Sequence, residues 1–168
     1  DQMHTGYAGD YVDAQIIKEV QSKYNGAQIT KDMARRWKEQ HSFVSTGAPE
    51  EPVLVDFSID GKAMTLDITD CIQRACESIV DPIVENVKVL IAESNPEYHD
   101  EFRKNMVLAG GGSSIRGLGA LIERRLSDMG DVNVHVVDDP VRLGAMGGLR
   151  LAMEVPEEMW KNLTLASR

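Results

Sequence analysis

The sequence predicts an α/β domain, and three observations carry that prediction. The last third of the chain reads as strand, glycine turn, helix, strand and helix between 105 and 153, and the two strands of such a unit should lie parallel with a right-handed crossover. Apolar residues alternate on both sides of Asp60-Gly61, which predicts an antiparallel hairpin. Elsewhere apolar residues recur at the helical period. A chain of 168 residues, 42% of them hydrophobic, has the length of a single domain with a buried core.

Two helices are predicted near the start of the chain. The first covers roughly 10 to 24 after the Gly9-Asp10 start signal. Its apolar positions fall at helical spacing, namely Val12, Ile16, Ile17, Val20 and Tyr24. The second covers about 30 to 40, where Thr30 is a candidate N-cap and Asp32 favours the positive end of the helix dipole.

The middle of the chain predicts the hairpin and then more helix. Its strands are expected over 53–59 and 64–68, joined by the Asp60-Gly61 turn. The helical period returns from Ile72 to Ile79 and continues beyond Pro82 to Ile91. Because proline removes a backbone donor, we expect two helices here or one kinked helix.

The last third predicts strands over 105–109 and 132–136 and helices over 118–129 and 143–153. The final helix contains three glycines, Gly144, Gly147 and Gly148. Each costs about 1 kcal/mol relative to alanine inside a helix. We therefore expect another backbone or a ligand to pack closely against them.

Composition and charge exclude several classes of protein. The formal net charge is −9 and the basic residues are mostly dispersed, so direct nucleic-acid binding is not expected. The sequence shows neither a signal-peptide pattern nor an apolar run long enough to insert into a membrane. Cys71 and Cys76 lie five apart on a predicted helix, a spacing that suits neither a disulfide nor a metal. These features predict a cytoplasmic protein.

A triple glycine, Gly110-Gly111-Gly112, follows the first strand of the β-α-β-α unit and precedes its helix. Glycines at the carboxyl end of a parallel strand lie where open α/β sheets receive ligands, and the missing Cβ lets a ligand approach the main chain. A tight strand-to-helix turn without a ligand explains the glycines equally well. The triplet matches neither the dinucleotide fingerprint nor a P-loop.

Charged residues on the second predicted helix form another candidate site. Arg35, Lys38 and Glu39 share one helix face, and a solvated face with an ion pair explains this as simply as a ligand does. The pattern Gly9-Asp10-x-x-Asp13 is likewise typical of a helix N-terminus with acidic residues in its first turn. The sequence contains no recognisable catalytic triad, cysteine–histidine pair or cluster of metal ligands.

Taken in order, these segments resemble the actin-like ATPases of bacteria. The resemblance is carried by "AGDYVDAQI", "RRWKEQHSFV", "NMVLAGGGSSIRGLGALI" and "VHVVDDPVRLGAMGGLRLA". Within these ATPases, segments such as "ITDCIQRACESIVDPIVENV" and "VPEEMW" most resemble the MamK family, the filament-forming actins that organise the magnetosome chain. The MreB family of cell-shape actins is the next most similar.

The resemblance implies a nucleotide site on the adenosine side. Gly111 and Gly112 match the loop beside the sugar and α-phosphate, and Gly110 supports the turn. Glu39 matches the carboxylate that binds the ribose hydroxyls, Lys38 and Arg35 flank the adenine, and Gly9 faces the ribose. Two positions depart from eukaryotic actin, since Ile115 replaces a tyrosine beside the base and Val141 replaces a lysine.

The resemblance also implies an actin-like, ribonuclease-H-like large domain II with a smaller inserted α+β subdomain. The inner α/β subdomain would comprise 1–9 and 79–168, and the inserted outer subdomain 10–78. The chain would be the C-terminal half of a cytoskeletal ATPase, because the phosphate loops and Mg²⁺ ligands of the family are not in it, and the fragment alone would not be catalytic.

The implied cofactor is ATP or ADP with Mg²⁺, and the implied partners are further copies in a cytoplasmic filament and a magnetosome-associated adaptor. Three alternatives remain. They are a MreB-like cell-shape actin, an actin-fold kinase or chaperone ATPase domain, and an interaction module without nucleotide in which the glycines serve packing only.

Overall fold

The first half of the chain folds as three helices against a three-stranded antiparallel sheet. The structure is a computed structural model that describes residues 6–156 and residue 159; the predictions for 1–5 and for half of "VPEEMW" lie outside the described residues. Helices α1 and α2 pack together, and α1 also packs on α3. The elements of this half are α1 (Gly9–Lys23), β1 (Ala27–Gln28), α2 (Lys31–His41), β2 (Leu54–Ile59), β3 (Lys62–Asp67) and α3 (Thr69–Glu77).

The predicted hairpin is confirmed with its turn. Strands β2 and β3 pair in register from Leu54↔Asp67 to Ile59↔Lys62. Asp60 and Gly61 have φ of 49° and 80°, the left-handed pair that a two-residue turn with the right twist requires. Alternation along β2 buries Val55 and Phe57 against the helices. Strand β1, two residues long, pairs with β2 and is too short for its period to have been recognised.

The break between the third and fourth helices falls earlier than the proline rule predicts. Helix α3 ends at Glu77 and α4 (Val80–Glu93) begins three residues later. Pro82 therefore lies in the first turn of α4, where the missing N–H has no intrahelical partner in any case and the ring is tolerated. The prediction of two helices is confirmed, while the position of the break is corrected.

The second half contains the predicted β-α-β-α unit. Strands β4 (Met106–Leu108) and β5 (Val134–Val136) are parallel, with α6 (Leu118–Leu126) between them. A Cβ at Gly119 on α6 would lie 3.1 Å from Val136 Cγ2, so the helix lies close against the sheet. A short helix that the sequence analysis missed, α5 (His99–Lys104), precedes β4.

One continuous hydrophobic core joins the two halves. Its members come from every helix between α1 and α6 except α5, with Ile79 and Val80 at the junction. The largest fully buried side chains are Phe43, Ile16, Ile68, Ile72, Leu121, Ile122 and Leu126. The predicted boundary between an inner subdomain (1–9 and 79–168) and an inserted one (10–78) stays a prediction, because both sheets share this core.

The last helix, α7 (Leu143–Glu154), contains the three glycines for which close packing is predicted. Nothing in the described chain lies within 4 Å of a Cβ placed on Gly144, Gly147 or Gly148, so the described chain does not supply that packing, and packing against a ligand or another backbone stays a prediction. Every residue of α7 is exposed, including Leu151 and Met153 at 58% and 78%. The described residues of this chain leave the apolar surface of α7 uncovered. No helix among them is both long and apolar enough to span a bilayer.

Candidate functional site

The triple glycine forms a turn whose outer side is open. Gly110 follows β4 with φ 83° and ψ 169°, a conformation that favours glycine. Its N–H donates to Pro140 O at 3.0 Å, and Ser113 Oγ donates to Gly110 O at 2.8 Å. A Cβ at Gly110, Gly111 or Gly112 would meet nothing within 4 Å. Packing within the described chain therefore does not require glycine at 111 and 112, and both residues are exposed with open space beside their main chain.

Helix α2 presents two of the three predicted charged residues on its outer face. Thr30 caps the helix, and its side chain accepts from Met33 N at 3.2 Å, as the sequence predicts. Ala34 and Trp37 are buried against the core. That orientation leaves Arg35 and Glu39 on the exposed side of α2.

Arg35 and Glu39 form an exposed ion pair one turn apart. Arg35 Nε donates to Glu39 Oε1 at 3.0 Å, with the side chains 68% and 57% exposed. The hydrogen bond to Glu39 raises the pKa of the Arg35 guanidinium above its ordinary value. Exposed pairs of this kind contribute little to stability, so a ligand can replace Arg35 as the partner of Glu39 at small cost.

Lys38 takes a different partner, the buried carboxylate of Asp13 on α1. Its Nζ lies 2.8 Å from Asp13 Oδ1 and donates to Gly9 O at 2.9 Å. Asp13 is only 7% exposed, and Oδ1 has no well-directed hydrogen bond beyond this ionic contact. A Cβ on Gly9 would lie 3.1 Å from Lys38 Nζ, so the glycine leaves room for the ammonium. The structure thus brings the predicted site residues Gly9 and Lys38 into direct contact, and Asp13, which was not predicted for the site, is the ionic partner of Lys38.

A main-chain contact connects the end of α2 to the loop that follows the triple glycine. Phe43 and Arg116 form an isolated parallel bridge. Val44 N donates to Arg116 O at 3.0 Å and Arg116 N donates to Ser42 O at 3.3 Å. We call 42–47 the strap; it lies directly after the helix of Glu39 and is bonded to the segment directly after Gly112.

Two glycines make the contact between strap and loop possible. A Cβ on Gly47 would lie 2.5 Å from Arg116 C, and one on Gly117 would lie 2.4 Å from Gly47 N. Gly117 also has a left-handed φ of 81°, which favours glycine. Thr46 Oγ1 donates to Gly117 O at 2.6 Å. The two main chains therefore touch without intervening side chains.

Glu77 ties the strap to α3. Its Oε1 accepts from Ser45 N at 2.8 Å and from Gln73 Nε2 at 3.2 Å. Burial acts to raise the pKa of the Glu77 carboxyl, but the bonds from Ser45 and Gln73 outweigh it and the net pKa is lowered. A carboxylate that is already ionised and bonded holds the strap in place at neutral pH.

Two further residues from the sequence analysis, Ile115 and Val141, differ widely in burial. Ile115 is 5% exposed and belongs to the hydrophobic core, while Val141 is 72% exposed. The hydrogen-bond partner of Glu39 is Arg35 and not a residue of the glycine turn. The roles beside a nucleotide of all the predicted site residues stay predictions, namely those of Gly9, Arg35, Lys38, Glu39, Gly110, Gly111, Gly112 and Ile115.

Two concavities of the described structure lie away from most of these residues. One, of about 540 Å³, lies between the start of α6 and the end of β5, with Gly117 and Pro140 in its wall. The other, of about 410 Å³, is apolar and lies between α4 and β4. Neither is lined by Lys38, Glu39 or Gly111, which lie on more open surface.

Sequence reasoning missed Asp13 and the strap. Asp13 stands one turn after Gly9 on the same helix, and that spacing was the available signal, but it reads equally well as helix-start chemistry. The strap has no periodic pattern. In the part of the chain that the structure describes, no group of three or more His, Cys, Asp or Glu side chains is placed to hold a metal ion.

Comparisons with known proteins agree on one family. The model of the MreB/Mbl protein family matches residues 3–159. Actin-like protein MamK of Paramagnetospirillum magneticum is 38% identical over 97% of this chain, which covers 46% of that protein. MamK of Magnetospirillum gryphiswaldense is 36% identical over the same share, with 45% of its length covered. The cell shape-determining protein MreB of Pasteurella multocida is 29% identical over 83% of this chain and is covered over 40%.

Solved structures of MamK have the same fold. A MamK double helical filament superposes with a TM-score of 0.86 at 38% identity, over 93% of this chain and 47% of the filament subunit. A non-polymerising MamK mutant bound to AMPPNP superposes at 0.79 and 39% identity, over 88% and 45%. The chain thus spans about half the length of these relatives. The predicted actin-like α/β fold is confirmed, and the chain belongs to the MreB/Mbl family of actin-like, filament-forming proteins.

Proposed function

We propose that this chain supplies the sugar and base side of an adenine-nucleotide site in a filament-forming actin about twice its length. The observation that carries the proposal is the main-chain contact of the strap, which joins the helix of Lys38 and Glu39 to the loop of Gly111. Further support is that a MamK relative of similar fold was solved with AMPPNP. The two walls of such a site would then move as one unit.

The residues on the two walls fit a nucleotide. Glu39 has an exposed carboxylate whose partner, Arg35, is also exposed, so Glu39 is free to accept hydrogen bonds from two sugar hydroxyls. Gly111 and Gly112 present main chain with open space outside it. The alternative in which these glycines serve packing only is disfavoured by that open space.

ATP would supply the phosphoanhydride whose hydrolysis changes filament stability, with Mg²⁺ at its phosphates. In-line phosphoryl transfer depends on groups placed around the γ-phosphate. We propose that this chain binds the sugar and base side of the nucleotide, and that the rest of a protein about twice its length, as in its relatives, supplies the phosphate side and catalysis.

Polymerisation follows from the same family membership. MamK relatives form filaments, and head-to-tail contacts that do not close generate open filaments. We propose that copies of the whole protein associate in this way in the cytoplasm and organise magnetosomes together with an adaptor. We also propose that the chain is divided beside the nucleotide into an inner subdomain (1–9 and 79–168) and an inserted subdomain (10–78).

The test is nucleotide affinity in the full-length protein. Glu39→Ala and Gly111→Val should each weaken binding of a fluorescent ATP analogue by at least about tenfold, since a lost hydrogen bond to a charged group is worth 1.5–3 kcal/mol and valine would occupy ligand space. Glu93→Ala, at an exposed position on α4, is the matched control. Unchanged affinity in both site variants, with normal thermal unfolding, would refute the assignment.

A MreB-like role in cell shape is the second candidate, because the matching family model is that of MreB/Mbl. Deletion of the gene in its own host distinguishes the two functions. Scattered magnetosomes with normal cell outline support the MamK-like role, and rounded cells with intact magnetosome order support the MreB-like role.

A further inference from the structure

The contact between Asp13 and Lys38 is the least expected feature of the candidate site. Asp13 is the buried charged residue of α1, and the described structure gives its Oδ1 the Lys38 ammonium at 2.8 Å as ionic partner. The two side chains are only 10% and 18% exposed. A buried carboxylate without a partner is strongly unfavourable, so Asp13 holds Lys38 in place far more firmly than an exposed residue would.

The ammonium is fixed at two points on the same helix. Besides Asp13 it donates to Gly9 O at 2.9 Å, and Gly9 lies one turn before Asp13 on α1. A lysine ammonium has three N–H donors, and Gly9 O and the Asp13 carboxylate engage at most two of them, so at least one donor remains for a ligand. Because Asp13 supplies the compensating charge, Lys38 would act as a positioned donor and not as a net positive charge.

Arg35 and Glu39 provide the contrast. They also form an ion pair, but both side chains are more than half exposed, and such pairs exchange partners readily. The helix therefore carries one pair that can open for a ligand and one that is held closed by burial.

We propose that Asp13 is a positioning residue of the nucleotide site, which holds Lys38 beside Gly9 so that its remaining donor serves the uncharged sugar and base end of the ligand. The inference rests on the proposed function. The inference assigns Lys38 to the uncharged adenosine part of the nucleotide. A lysine with a general electrostatic role would instead attract the charged phosphates.

The experiment uses the full-length protein and two probes, adenosine and inorganic tripolyphosphate. Asp13→Asn keeps the shape of the side chain and removes its charge. It should weaken adenosine binding about tenfold, the loss expected when a well-placed hydrogen bond is misaligned, and leave tripolyphosphate binding unchanged. Asp10→Asn, at an exposed position in the first turn of the same helix, makes the same charge change and should have no effect on either probe.

A double-mutant cycle tests whether Asp13 acts through Lys38. Lys38→Met should weaken adenosine binding, and adding Asp13→Asn to it should cause no further loss. An equal loss from Asp13→Asn in both backgrounds, or a parallel loss for tripolyphosphate, would overturn the proposal. If Asp13→Asn binds adenosine normally while Lys38→Met binds it weakly, the positioning role of Asp13 is overturned and the proposed function still stands. A wild-type protein that binds no nucleotide would refute the proposed function itself.

A second variant guards against loss of folding. Removing one partner of a buried ion pair is destabilising, whereas replacing both by apolar residues is often neutral. Asp13→Leu combined with Lys38→Met should therefore fold, as measured by thermal unfolding, and bind adenosine as weakly as Lys38→Met. Wild-type affinity in this folded double variant would overturn the proposal.

Discussion

Gly117→Ala tests the contact between the strap and the loop after the triple glycine. Gly117 has φ 81°, and a Cβ there would lie 2.4 Å from Gly47 N and 2.8 Å from Thr46 C. Ordinary van der Waals contact begins at 3.4 Å, so the two main chains would have to move apart. That movement would break the hydrogen bonds that hold the strap, including Thr46 Oγ1 to Gly117 O at 2.6 Å and Val44 N to Arg116 O at 3.0 Å.

The expected loss of stability has two parts. An alanine in the left-handed region costs about 1–2 kcal/mol, and each hydrogen bond lost contributes about 0.5–1.5 kcal/mol. With the two named hydrogen bonds lost, we therefore expect Gly117→Ala to lower the free energy of unfolding by about 2–5 kcal/mol. Gly61→Ala is the matched control, because Gly61 has φ 80° and nothing within 4 Å of its Cβ position, and it should cost only the backbone part of about 1–2 kcal/mol.

Urea denaturation monitored by circular dichroism and by tryptophan fluorescence measures both variants. The excess of about 1–3 kcal/mol for Gly117→Ala corresponds to a midpoint lower by about 2–12 °C in a thermal scan of a chain of this size. Equal destabilisation by the two alanines would show that the strap contact is not held by close main-chain packing, and the argument that the walls of the site move together would fail with it.

Three further outcomes are expected. Hydrogen bonds from Ser45 and Gln73 lower the pKa of the Glu77 carboxyl. The contribution of Glu77 to stability is therefore complete above the ordinary pKa of 4.5 and is lost as the pH falls through the lower pKa of the folded state. Glu77→Gln should flatten that part of the stability–pH curve, and an unchanged curve would contradict the shift. Burial raises the pKa of both Cys71 and Cys76 to about 11, so at pH 8 a thiol reagent should label them at least about a hundredfold more slowly in the folded chain than in urea, and rapid labelling of the native chain would count against their burial. Thr30→Ala removes the cap of α2 and should cost about 1 kcal/mol in urea denaturation, whereas Thr30→Ser should cost much less.

Local order was readable from the sequence because neighbouring residues determine it. The Asp60-Gly61 pair predicts the hairpin turn, since its two left-handed conformations suit those residue types. The apolar spacing of Val12, Ile16 and Val20 predicts α1 and the face it buries. The order of motifs likewise predicted the actin-like fold and the family, both of which are confirmed.

Partner choice was decided by the tertiary structure. The sequence of α2 does not identify which carboxylate pairs with Lys38. Its helical spacing groups Lys38 with Arg35 and Glu39. Folding buries Asp13 within reach of Lys38, and a buried charge without a partner is far more costly than an exposed one. The difference in burial separates the closed Asp13–Lys38 pair from the open Arg35–Glu39 pair. No pattern along the sequence predicts that difference.

The sequence by itself therefore determined the longer helices, the hairpin and the parallel strand pair, because turn chemistry and periodicity act over a few neighbouring residues, and the resemblance of its motifs gave the family. Only the tertiary structure decided that the strap bonds to Arg116, that Asp13 holds Lys38 and that α7 is exposed along its length. Each of these features depends on contacts between residues that are distant in the sequence. The free energy of burial is set by these tertiary contacts and not by adjacency along the chain.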